Sequence, residues 1–314
     1  MNEFEIIHGD CITEMWRLKE IGFQADLSVY SPPFASLYAY SSNPADMSNS
    51  RESDDEFRLH FEFFANAIFP LIKPGRNMCV HIQNPSRSIT HHGRPGIWDL
   101  RGEMIRLYEA AGFWYYGEVT IWKNPQAQSI RTKAQALTFS NFIKDSAISR
   151  PALADYLMIF KKPGKNETPC TNKIQINEHG ARERQDVTNG DWIEWAQPIW
   201  ESQEDGFMLP YPIWYNIRET NTLNERAARN ENDERHICPL QLDLIDRCVR
   251  LWSNEGETVF SPFAGIGSEG YQSILNQRRF VGCEIKPEYH AEAVKNCNEA
   301  IRELESKEAQ ICLI

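Results

Sequence analysis

The sequence predicts an α/β fold built on a mostly parallel sheet. Short apolar runs, typical of buried strands, alternate along the chain with segments of helical periodicity, which is the pattern of βαβ units. Two of these runs end in turn phrases rich in proline or glycine, at the edge where open α/β sheets bind ligands. With 314 residues, 41% of them hydrophobic, the chain can bury a large core.

The first half of the chain supplies five predicted strands and two predicted helices. Strands are expected at residues 5–8, 26–30, 77–82, 119–122 and 156–160. Helices are expected at residues 56–72, which a Lys-Pro-Gly phrase ends, and at residues 99–111, which Gly112 ends. No clear helical pattern separates the last two strands, so we expect them to pair antiparallel.

The regular pattern stops after residue 163 and resumes near residue 235. The polar stretch between them contains four tryptophans and no clean periodicity, which predicts an irregular insertion. Beyond it we expect a helix at 239–252, a strand at 257–260, a helix at 268–276, a strand at 279–285 and a helix at 287–307. The predicted units are therefore residues 1–163, 164–234 and 235–314.

The composition argues against several classes of protein. No run of eighteen apolar residues could cross a membrane, and the N-terminus lacks the basic-then-apolar pattern of a secretory signal. We therefore expect a cytoplasmic protein with no membrane partner. The eight cysteines form no C-x-x-C pair, which predicts neither a zinc site nor a disulfide framework. His91 and His92 lie in a Gly/Pro loop without a nearby carboxylate or thiol, so we predict no metal.

The charge is unevenly distributed along the chain. The net charge of −11 argues against a protein that binds polyanions nonspecifically. Residues 121–173, however, carry nine lysines and arginines against three acidic residues. This stretch could face a phosphate backbone, and an ordinary solvated surface explains it equally well.

The first turn phrase, Ser31-Pro32-Pro33-Phe34, fits the chemistry of an amino group on a nucleic-acid base. Such a nitrogen is a poor nucleophile because its lone pair is delocalised into the ring. The Ser31 hydroxyl and a carbonyl of the rigid Pro-Pro turn can accept its hydrogens, and Phe34 can stack on an extruded base. A turn without function is the alternative. The polar segment 41–55 is either a surface loop or a lid over a substrate.

The second phrase, FSPFAGIGS at residues 260–268, joins a predicted strand to a predicted helix. Its glycines let the backbone approach a ligand closely, and the helix amides point at a carboxylate or phosphate. Glu284 ends the next predicted strand, where an acid can accept both ribose hydroxyls of an adenosine cofactor. A solvent-facing glutamate is the alternative.

Together, the two phrases resemble the amino-methylating DNA methyltransferases, the N4-cytosine/N6-adenine family that uses S-adenosylmethionine. The catalytic phrase precedes the cofactor phrase, as in the permuted beta subgroup. The resemblance covers residues 3–163 and 235–298 and leaves the insertion between them unmatched. It implies a Rossmann-like methyltransferase sheet, mostly parallel with an antiparallel strand, a circularly permuted motif order and an insertion for target recognition.

The resemblance also implies roles for individual residues. The implied catalytic residues are Ser31, Pro32, Pro33 and Phe34. The implied cofactor-binding residues are Asp10, Cys11, His236, Pro239, Ser261, Phe263, Ala264, Gly265, Gly267, Ser268 and Glu284. Asp10 is expected near the adenine, and the phrase at residues 236–241 near the methionine end. The cofactor strand of the family usually ends Asp-Pro-Phe, whereas here Ser261 takes the place of the aspartate.

Base identity and DNA contacts follow from the same resemblance. A Ser-Pro-Pro start tends to accompany N4-cytosine methylation and an Asp-Pro-Pro start N6-adenine methylation, so cytosine is favoured and adenine is the alternative. Transfer is expected to be direct, without a covalent intermediate. Target recognition is expected in the insertion, or on a wider boundary in residues 124–234. The candidate DNA-binding residues are Lys123, Arg131, Lys133, Arg182 and Arg184.

The partner implied is double-stranded DNA, and the resemblance leaves open a homodimer and a cognate restriction nuclease. An RNA or protein amino-methyltransferase is the second candidate, and a noncatalytic nucleic-acid-binding protein the third. The motif order argues against the second, since such enzymes usually place the cofactor loop first. The presence of both phrases, together with Glu284, argues against the third.

Overall fold

The computed structural model describes residues 3–33, 47, 54–87, 93–121, 139–151, 153–196, 200–201, 208–209, 217, 221–223 and 239–311. The strands in these ranges are β1 (Phe4–His8), β2 (Leu27–Tyr30), β3 (Asn77–Gln83), β4 (Ser86–Arg87), β5 (Gly96–Ile97), β6 (Trp114–Ile121), β7 (Asp155–Lys161), β8 (Ile174–Ile176), β9 (Arg182–Arg184), β10 (Trp200–Glu201), β11 (Met208–Leu209), β12 (Thr258–Ser261) and β13 (Arg279–Glu284). The α-helices are α1 (Cys11–Glu20), α2 (Asp54–Ile68), α3 (Leu100–Ala110), α4 (Phe139–Lys144), α5 (Asn189–Ala196), α6 (Leu242–Trp252), α7 (Ser268–Leu275) and α8 (Pro287–Ile311).

Seven strands form the central sheet, in the order β1-β13-β12-β2-β3-β7-β6. Neighbouring strands from β1 to β3 are parallel, whereas β7 pairs antiparallel with both β3 and β6. These pairings confirm the predicted α/β fold, including its antiparallel strand. We call the edge where the parallel strands end the carboxyl edge, and the opposite one the amino edge. In an open sheet of this kind, ligands bind at the carboxyl edge.

Several elements differ from the sequence-based expectation, and three of the differences have a clear physical cause. The pattern does not predict α1, because charged residues interrupt its short apolar face; the Asp10 side chain accepts a hydrogen bond from the Thr13 amide and begins the helix. Helix α2 ends at Ile68, since Pro70 has no amide hydrogen to continue it. Strand β6 begins at Trp114, earlier than expected, because exposed aromatic side chains on this edge strand hide its alternation.

The two faces of the sheet are covered by different helices. Helices α1, α2 and α3 pack on one face, and α6, α7 and α8 on the other. Strand alternation explains the division in β2, where Leu27 and Val29 belong to the second face and Tyr30 to the first. Phe61 and Phe64 of α2 are fully buried, and each contributes about 2 kcal/mol by its removal from water. None of the helices formed by the described residues combines the length and apolar character needed to cross a bilayer.

Residues 164–196 contain regular elements, namely the hairpin of β8 and β9 and the helix α5. A buried ion-pair network attaches this stretch to the amino edge. Arg278, on the turn that leads into β13, donates to Asp186 over 3.0 Å and to the carbonyl of Ser253 over 2.7 Å. Arg76 donates to Glu257 and, over 3.0 Å, to the carbonyl of Thr168. The first part of the predicted insertion therefore lies at the edge opposite the predicted site.

Candidate active site

The carboxyl edge brings the two predicted motifs side by side. Strands β12 and β2 are parallel neighbours, with Val259 opposite Leu27 and Phe260 opposite Ser28. The glycine phrase that follows β12 and the Ser-Pro-Pro turn that follows β2 therefore leave the sheet next to each other. The candidate site residues come from six neighbouring strands or the turns that follow them. In the order of the strands across the sheet they are Asp10, Glu284, Gly265, Ser31, His81 and Asp155.

The glycine loop has the backbone conformation that its sequence predicts. Gly265 and Gly267 adopt positive φ angles of 53° and 84°, which favour glycine. At Gly267 a Cβ atom would also lie 3.0 Å from the Cα of Ala293 on α8. The Gly265 amide donates to Glu284 Oε2 over 2.9 Å, and the Lys286 amide donates to Glu284 Oε1 over 2.8 Å. Glu284 is thus held beside the loop at the end of β13.

Unpaired polar atoms line the base of this loop. The hydroxyl oxygens of Ser261 and Ser268 are buried without a hydrogen-bond partner. Buried hydroxyls normally find partners, so two unpaired ones at the ends of this loop fit a ligand that carries donors and acceptors. Together with the Glu284 carboxylate and the close backbone, these groups match the ribose hydroxyls and the charged methionine end of S-adenosylmethionine. The residues present therefore fit the implied cofactor.

Glu269 in the first turn of α7 is a further acid at the loop, and the sequence analysis missed it. Its side chain is buried, and burial, followed by the neighbouring charge of Glu284, raises the pKa of its carboxyl to about 8. The available signal was an acidic residue directly after the glycine phrase, where helix amides favour a negative charge. Perturbed acids of this kind cluster at functional sites and also occur in purely structural networks.

Asp10 and Cys11 lie where β1 meets α1, beside Glu284. The Gly9 amide donates to the carbonyl of Glu284 over 3.0 Å, which fixes the turn next to the glycine loop. Asp10 uses one carboxylate oxygen to cap α1 by accepting from the amide and the hydroxyl of Thr13. The Cys11 thiol packs in the core, where burial raises its pKa well above the ordinary value.

An aromatic cluster joins the glycine loop to β2, the strand that precedes the Ser-Pro-Pro turn. The ring of Phe263 stacks on Phe64 of α2 at 5.0 Å and meets Tyr30 at 5.8 Å. The Tyr30 hydroxyl lies 2.6 Å from that of Tyr108 on α3. Phe263, which the sequence analysis assigns to the cofactor, therefore also packs against the strand that ends at Ser31.

Ser31 heads a chain of three hydrogen-bonded side chains. Its hydroxyl donates to the carbonyl oxygen of His81 over 3.1 Å and lies 3.3 Å from His81 Nδ1. On the far side of the ring, His81 Nε2 lies 2.9 Å from Asp155 Oδ2. His81 and Asp155 are buried, and Ser31 is half-buried. Because β7 runs antiparallel, its first residue lies at the same edge as the end of β3.

Sequence reasoning missed His81 and Asp155. The available signals were a histidine within an apolar strand and an aspartate directly before another strand. Near them lies Gln83, whose side-chain nitrogen is buried without a hydrogen-bond partner. Gln83 is the register partner of Asp155, and alternation along β3 places it on the same face as His81.

The structure places some of the other predicted residues and not others. Pro32 is buried, and Pro33 and Pro239 are half-buried. Ala264 is buried, and its amide donates to the Cys283 carbonyl over 2.8 Å. Several predicted residues, and most of the predicted lid at 41–55, lie outside the described residues; the site residues concerned are Phe34, Lys123, Arg131, Lys133 and His236.

Arg182 and Arg184 lie on β9, at the amino edge. Arg184 forms a two-point ion pair with Asp186 and donates to the carbonyl oxygens of Cys170 over 3.3 Å and Leu251 over 3.4 Å. Its guanidinium is therefore engaged within the protein and faces away from the Ser31 edge. Arg182 is exposed on the same hairpin. The DNA contacts of these two arginines stay a prediction from the sequence.

The chain resembles known methyltransferases in sequence. The chain is 50% identical over 86 residues to the orphan methyltransferase M.BamHII of Bacillus amyloliquefaciens, a match that covers 27% of this chain and 32% of that protein. It is 22% identical over 218 residues to the type II methyltransferase M.MjaI of Methanocaldococcus jannaschii, with 69% of this chain and 60% of that protein covered. These matches thus span about one third and three fifths of the relatives' lengths.

Solved structures share the fold over nearly the whole chain. The DNA modification methylase TTHA0409 of Thermus thermophilus, solved in complex with S-adenosyl-L-methionine, superposes with a TM-score of 0.60 at 17% identity and covers 94% of this chain and 95% of that one. The cytosine-N4-specific PvuII DNA methyltransferase superposes with a TM-score of 0.58 at 16% identity, covering 94% and 86%.

The match to the family is broader than either of the two sequence alignments. The model of the N6/N4 DNA methylase family matches residues 25–295, which include both motif phrases, the insertion between them and most of the sheet. The Rossmann-like methyltransferase architecture and the permuted motif order agree with the match. The chain therefore belongs to the N6/N4 DNA methylase family.

Proposed function

We propose that the protein transfers a methyl group from S-adenosylmethionine to the exocyclic amino group of a base flipped out of DNA. The observation that carries this proposal is the adjacency of two loops on neighbouring parallel strands. One loop presents the hydrogen-bond acceptor Ser31, and the other presents Gly265, Gly267 and the Glu284 carboxylate for an adenosine cofactor. Membership of the DNA methylase family supports the same chemistry.

The chain's own residues account for most of the mechanism. When bound, the cofactor supplies an electrophilic methyl group on a positively charged sulfur. Ser31 Oγ accepts a hydrogen from the amino group, which concentrates the lone pair on the nitrogen. Phe263, packed on Phe64 and Tyr30, fixes the spacing between the cofactor loop and Ser31. Alignment of two reactants in this way can remove about 7–11 kcal/mol from a bimolecular barrier.

Cytosine N4 is the favoured target, and adenine N6 is the alternative. The support is the serine at the start of the Ser31-Pro32-Pro33 turn, which resembles the cytosine-directed pattern of the family. An aspartate there would add a negative charge beside the base, and the described residues that contact Ser31 supply only the His81 ring and its carbonyl. A neutral acceptor is sufficient to hold one amino hydrogen.

We place the DNA along the carboxyl edge. Strand β6 ends and β7 begins at this edge, with Ile121 directly opposite Asp155, so the connection 122–154 leaves and returns beside the site. The candidate contacts Lys123, Arg131 and Lys133 belong to this connection. Basic residues there would bind phosphates and orient the duplex over Ser31.

The test is to incubate the purified protein with S-adenosylmethionine and unmethylated duplex DNA, digest the DNA and separate the nucleosides by mass spectrometry. N4-methylcytosine is expected. N6-methyladenine would transfer the proposal to the alternative base. Absence of both, with methyl incorporated into RNA or a protein substrate in parallel reactions, would replace it by the second candidate function.

A further inference from the structure

We propose that Ser31, His81 and Asp155 form a relay that removes the proton which the target amino group loses on methylation. The inference rests on the proposed function and adds two residues to it. Methylation of an amino group leaves the nitrogen with one hydrogen too many for a neutral product. The three side chains supply a continuous hydrogen-bonded path from the position of that nitrogen into the protein.

Asp155 determines which nitrogen of His81 carries the proton. An ionised carboxylate accepts hydrogen bonds and donates none, so the Nε2 atom at 2.9 Å must donate to it. In the neutral ring, Nδ1 then has a free lone pair, and this atom faces the Ser31 hydroxyl at 3.3 Å. A carboxylate that fixes the tautomer of a histidine in this way also stabilises the imidazolium once a second proton arrives.

The proton balance of the step is simple. The amino nitrogen forms a bond to the methyl carbon while the carbon–sulfur bond breaks, and the electrons of the broken bond stay on sulfur. One N–H proton passes to Ser31 Oγ, and the hydroxyl proton of Ser31 passes to His81 Nδ1. The methylated base leaves neutral, and His81 leaves as an imidazolium paired with Asp155. The ring returns its proton to water when the product departs.

The relay is needed because two of its members are buried and water cannot easily take the proton. His81 and Asp155 are 7% and 5% exposed, so bulk water has little access to the ring in this state. The single hydroxyl proton of Ser31 can point either to the His81 carbonyl at 3.1 Å or, after rotation about the C–O bond, to Nδ1 at 3.3 Å, and only the second orientation passes the proton on. General-base assistance by a positioned side chain contributes about 10²–10⁴-fold to a rate.

The test compares His81→Asn, Asp155→Asn and the control Tyr156→Phe in single-turnover methyl transfer. Asparagine keeps an acceptor near the position of Nδ1 but takes no proton, so the transfer rate of H81N should fall about 10²-fold or more, with cofactor affinity by calorimetry unchanged. D155N should lower the rate less. Tyr156 is the next residue on β7, its ring lies under Arg101, and the phenylalanine variant keeps that contact and should keep the rate.

A spectroscopic measurement tests the relay independently of methyl-transfer activity. Nitrogen-15 spectra of the histidine rings should show His81 protonated at Nε2 in the wild type, and Asp155→Asn should remove that preference. An H81N variant as fast as the wild type, or a wild-type ring protonated at Nδ1, would overturn the relay alone. A wild type that methylates no DNA would instead overturn the proposed function, and the relay with it.

Discussion

Two serines close together in sequence lie in different surroundings. Ser28, within β2, is buried and donates to the carbonyl of Phe260 over 2.9 Å, which links two strands of the sheet. Ser31, just beyond the strand end, is half-buried at the carboxyl edge. The position relative to the end of the strand therefore separates a structural hydroxyl from the one that we propose contacts the substrate.

This contrast gives the first prediction. Ser31→Ala should lower the methyl-transfer rate about 10²-fold or more, because an acceptor aimed at the reacting group is lost, and the loss of its half-buried hydrogen bond to the His81 carbonyl should cost at most about 1 kcal/mol of stability. Ser28→Ala should cost about 1 kcal/mol in the free energy of unfolding and leave the rate normal. Rate measurements and thermal melts on both variants check it; a fully active S31A would remove the serine from the mechanism.

Glu269 gives a prediction about pH. Its pKa is about 8 in the folded protein, raised by burial, whereas an unfolded glutamate titrates near about 4.3. The protonated side chain therefore favours the folded state fully below the unfolded value, and this contribution is lost as the pH rises through the folded one. Glu269→Gln, which stays neutral, should exceed the wild-type melting temperature slightly at pH 5 and by several degrees more at pH 8.5.

The control for this prediction is Glu305→Gln on α8, where the side chain is exposed. It should change the melting temperature little at either pH. The measurement is a series of thermal melts without cofactor. A difference between E269Q and the wild type that does not change with pH would show that the carboxyl is not protonated in the folded state.

Among the candidate site residues, those that belong to a short sequence motif could be predicted from the sequence. Ser31 and the loop glycines are local features, and Glu284 could be inferred from its place at the end of the next strand. His81 and Asp155 could not be inferred in this way, because their partners lie 50 and 74 positions away in the chain. Only the register of β3 against β7 brings them together.

At the scale of elements, the close packing of the glycine loop on α8 gives the third prediction. Gly267→Ala combines a positive φ of 84° with a Cβ position only 3.0 Å from the backbone of Ala293. The positive φ alone costs about 1–3 kcal/mol in a residue other than glycine. The close contact adds to this cost, because the new Cβ must displace the backbone of Ala293. We expect a clear loss in the free energy of unfolding and weaker cofactor binding.

Gly256 is the matched control for this element. It has a φ of 76° in the turn before β12, and a Cβ there would have open space within 4 Å. Gly256→Ala should therefore show the backbone strain without the contact, and so a smaller loss of stability with normal cofactor affinity. Denaturant unfolding and calorimetry distinguish the two variants. Equal losses would mean that the approach of α8 does not shape the loop.

The elements themselves were largely predictable because their periodicities are clear. Strands β3, β7, β12 and β13 lie within one or two residues of the expected positions. The exceptions have physical causes: a capped but weakly apolar helix at α1, and an edge strand at β6 whose aromatic side chains face both ways. Local patterns do not encode edges, since an edge strand is defined by the neighbour that it lacks.

For the whole molecule, the network at the amino edge gives the fourth prediction. Arg278 is 1% exposed and bonds to Asp186, to Ser253 and to the carbonyl of Asn276. Arg278→Met removes the donor to the buried Ser253 carbonyl and one of the partners of the Asp186 carboxylate, which Arg184 still pairs, so the free energy of unfolding should fall by about 1–3 kcal/mol. Arg302→Met, at an exposed position of α8, should change it by less than about 0.5 kcal/mol.

The consequence should extend beyond stability. Asp186 belongs to the stretch attached to the amino edge, so the Arg278 variant should also expose residues 166–188 to proteases under native conditions. Limited proteolysis followed by mass spectrometry of the fragments checks this. A stable R278M with unchanged fragments would show that the stretch is held by other contacts.

The arrangement of the whole molecule was predictable in one respect and not in another. Two motifs that end parallel strands must lie at one edge, so their approach followed from the fold class. The position of the insertion did not follow. The resemblance assigned target recognition to it, and the structure shows that its first part is fixed at the amino edge by Arg184, Asp186 and Arg278. Composition does not distinguish charged side chains that form ion pairs within the protein from charged side chains that are available to bind DNA.

The reversed strand β7 has a consequence for the connection that leads into it. Because Ile121 and Asp155 are register partners across the last two strands, the connection between them leaves the sheet and re-enters it at one point. If this connection contacts DNA as proposed, its replacement between these two residues should alter the DNA contacts and leave Ser31, His81 and Asp155 in place.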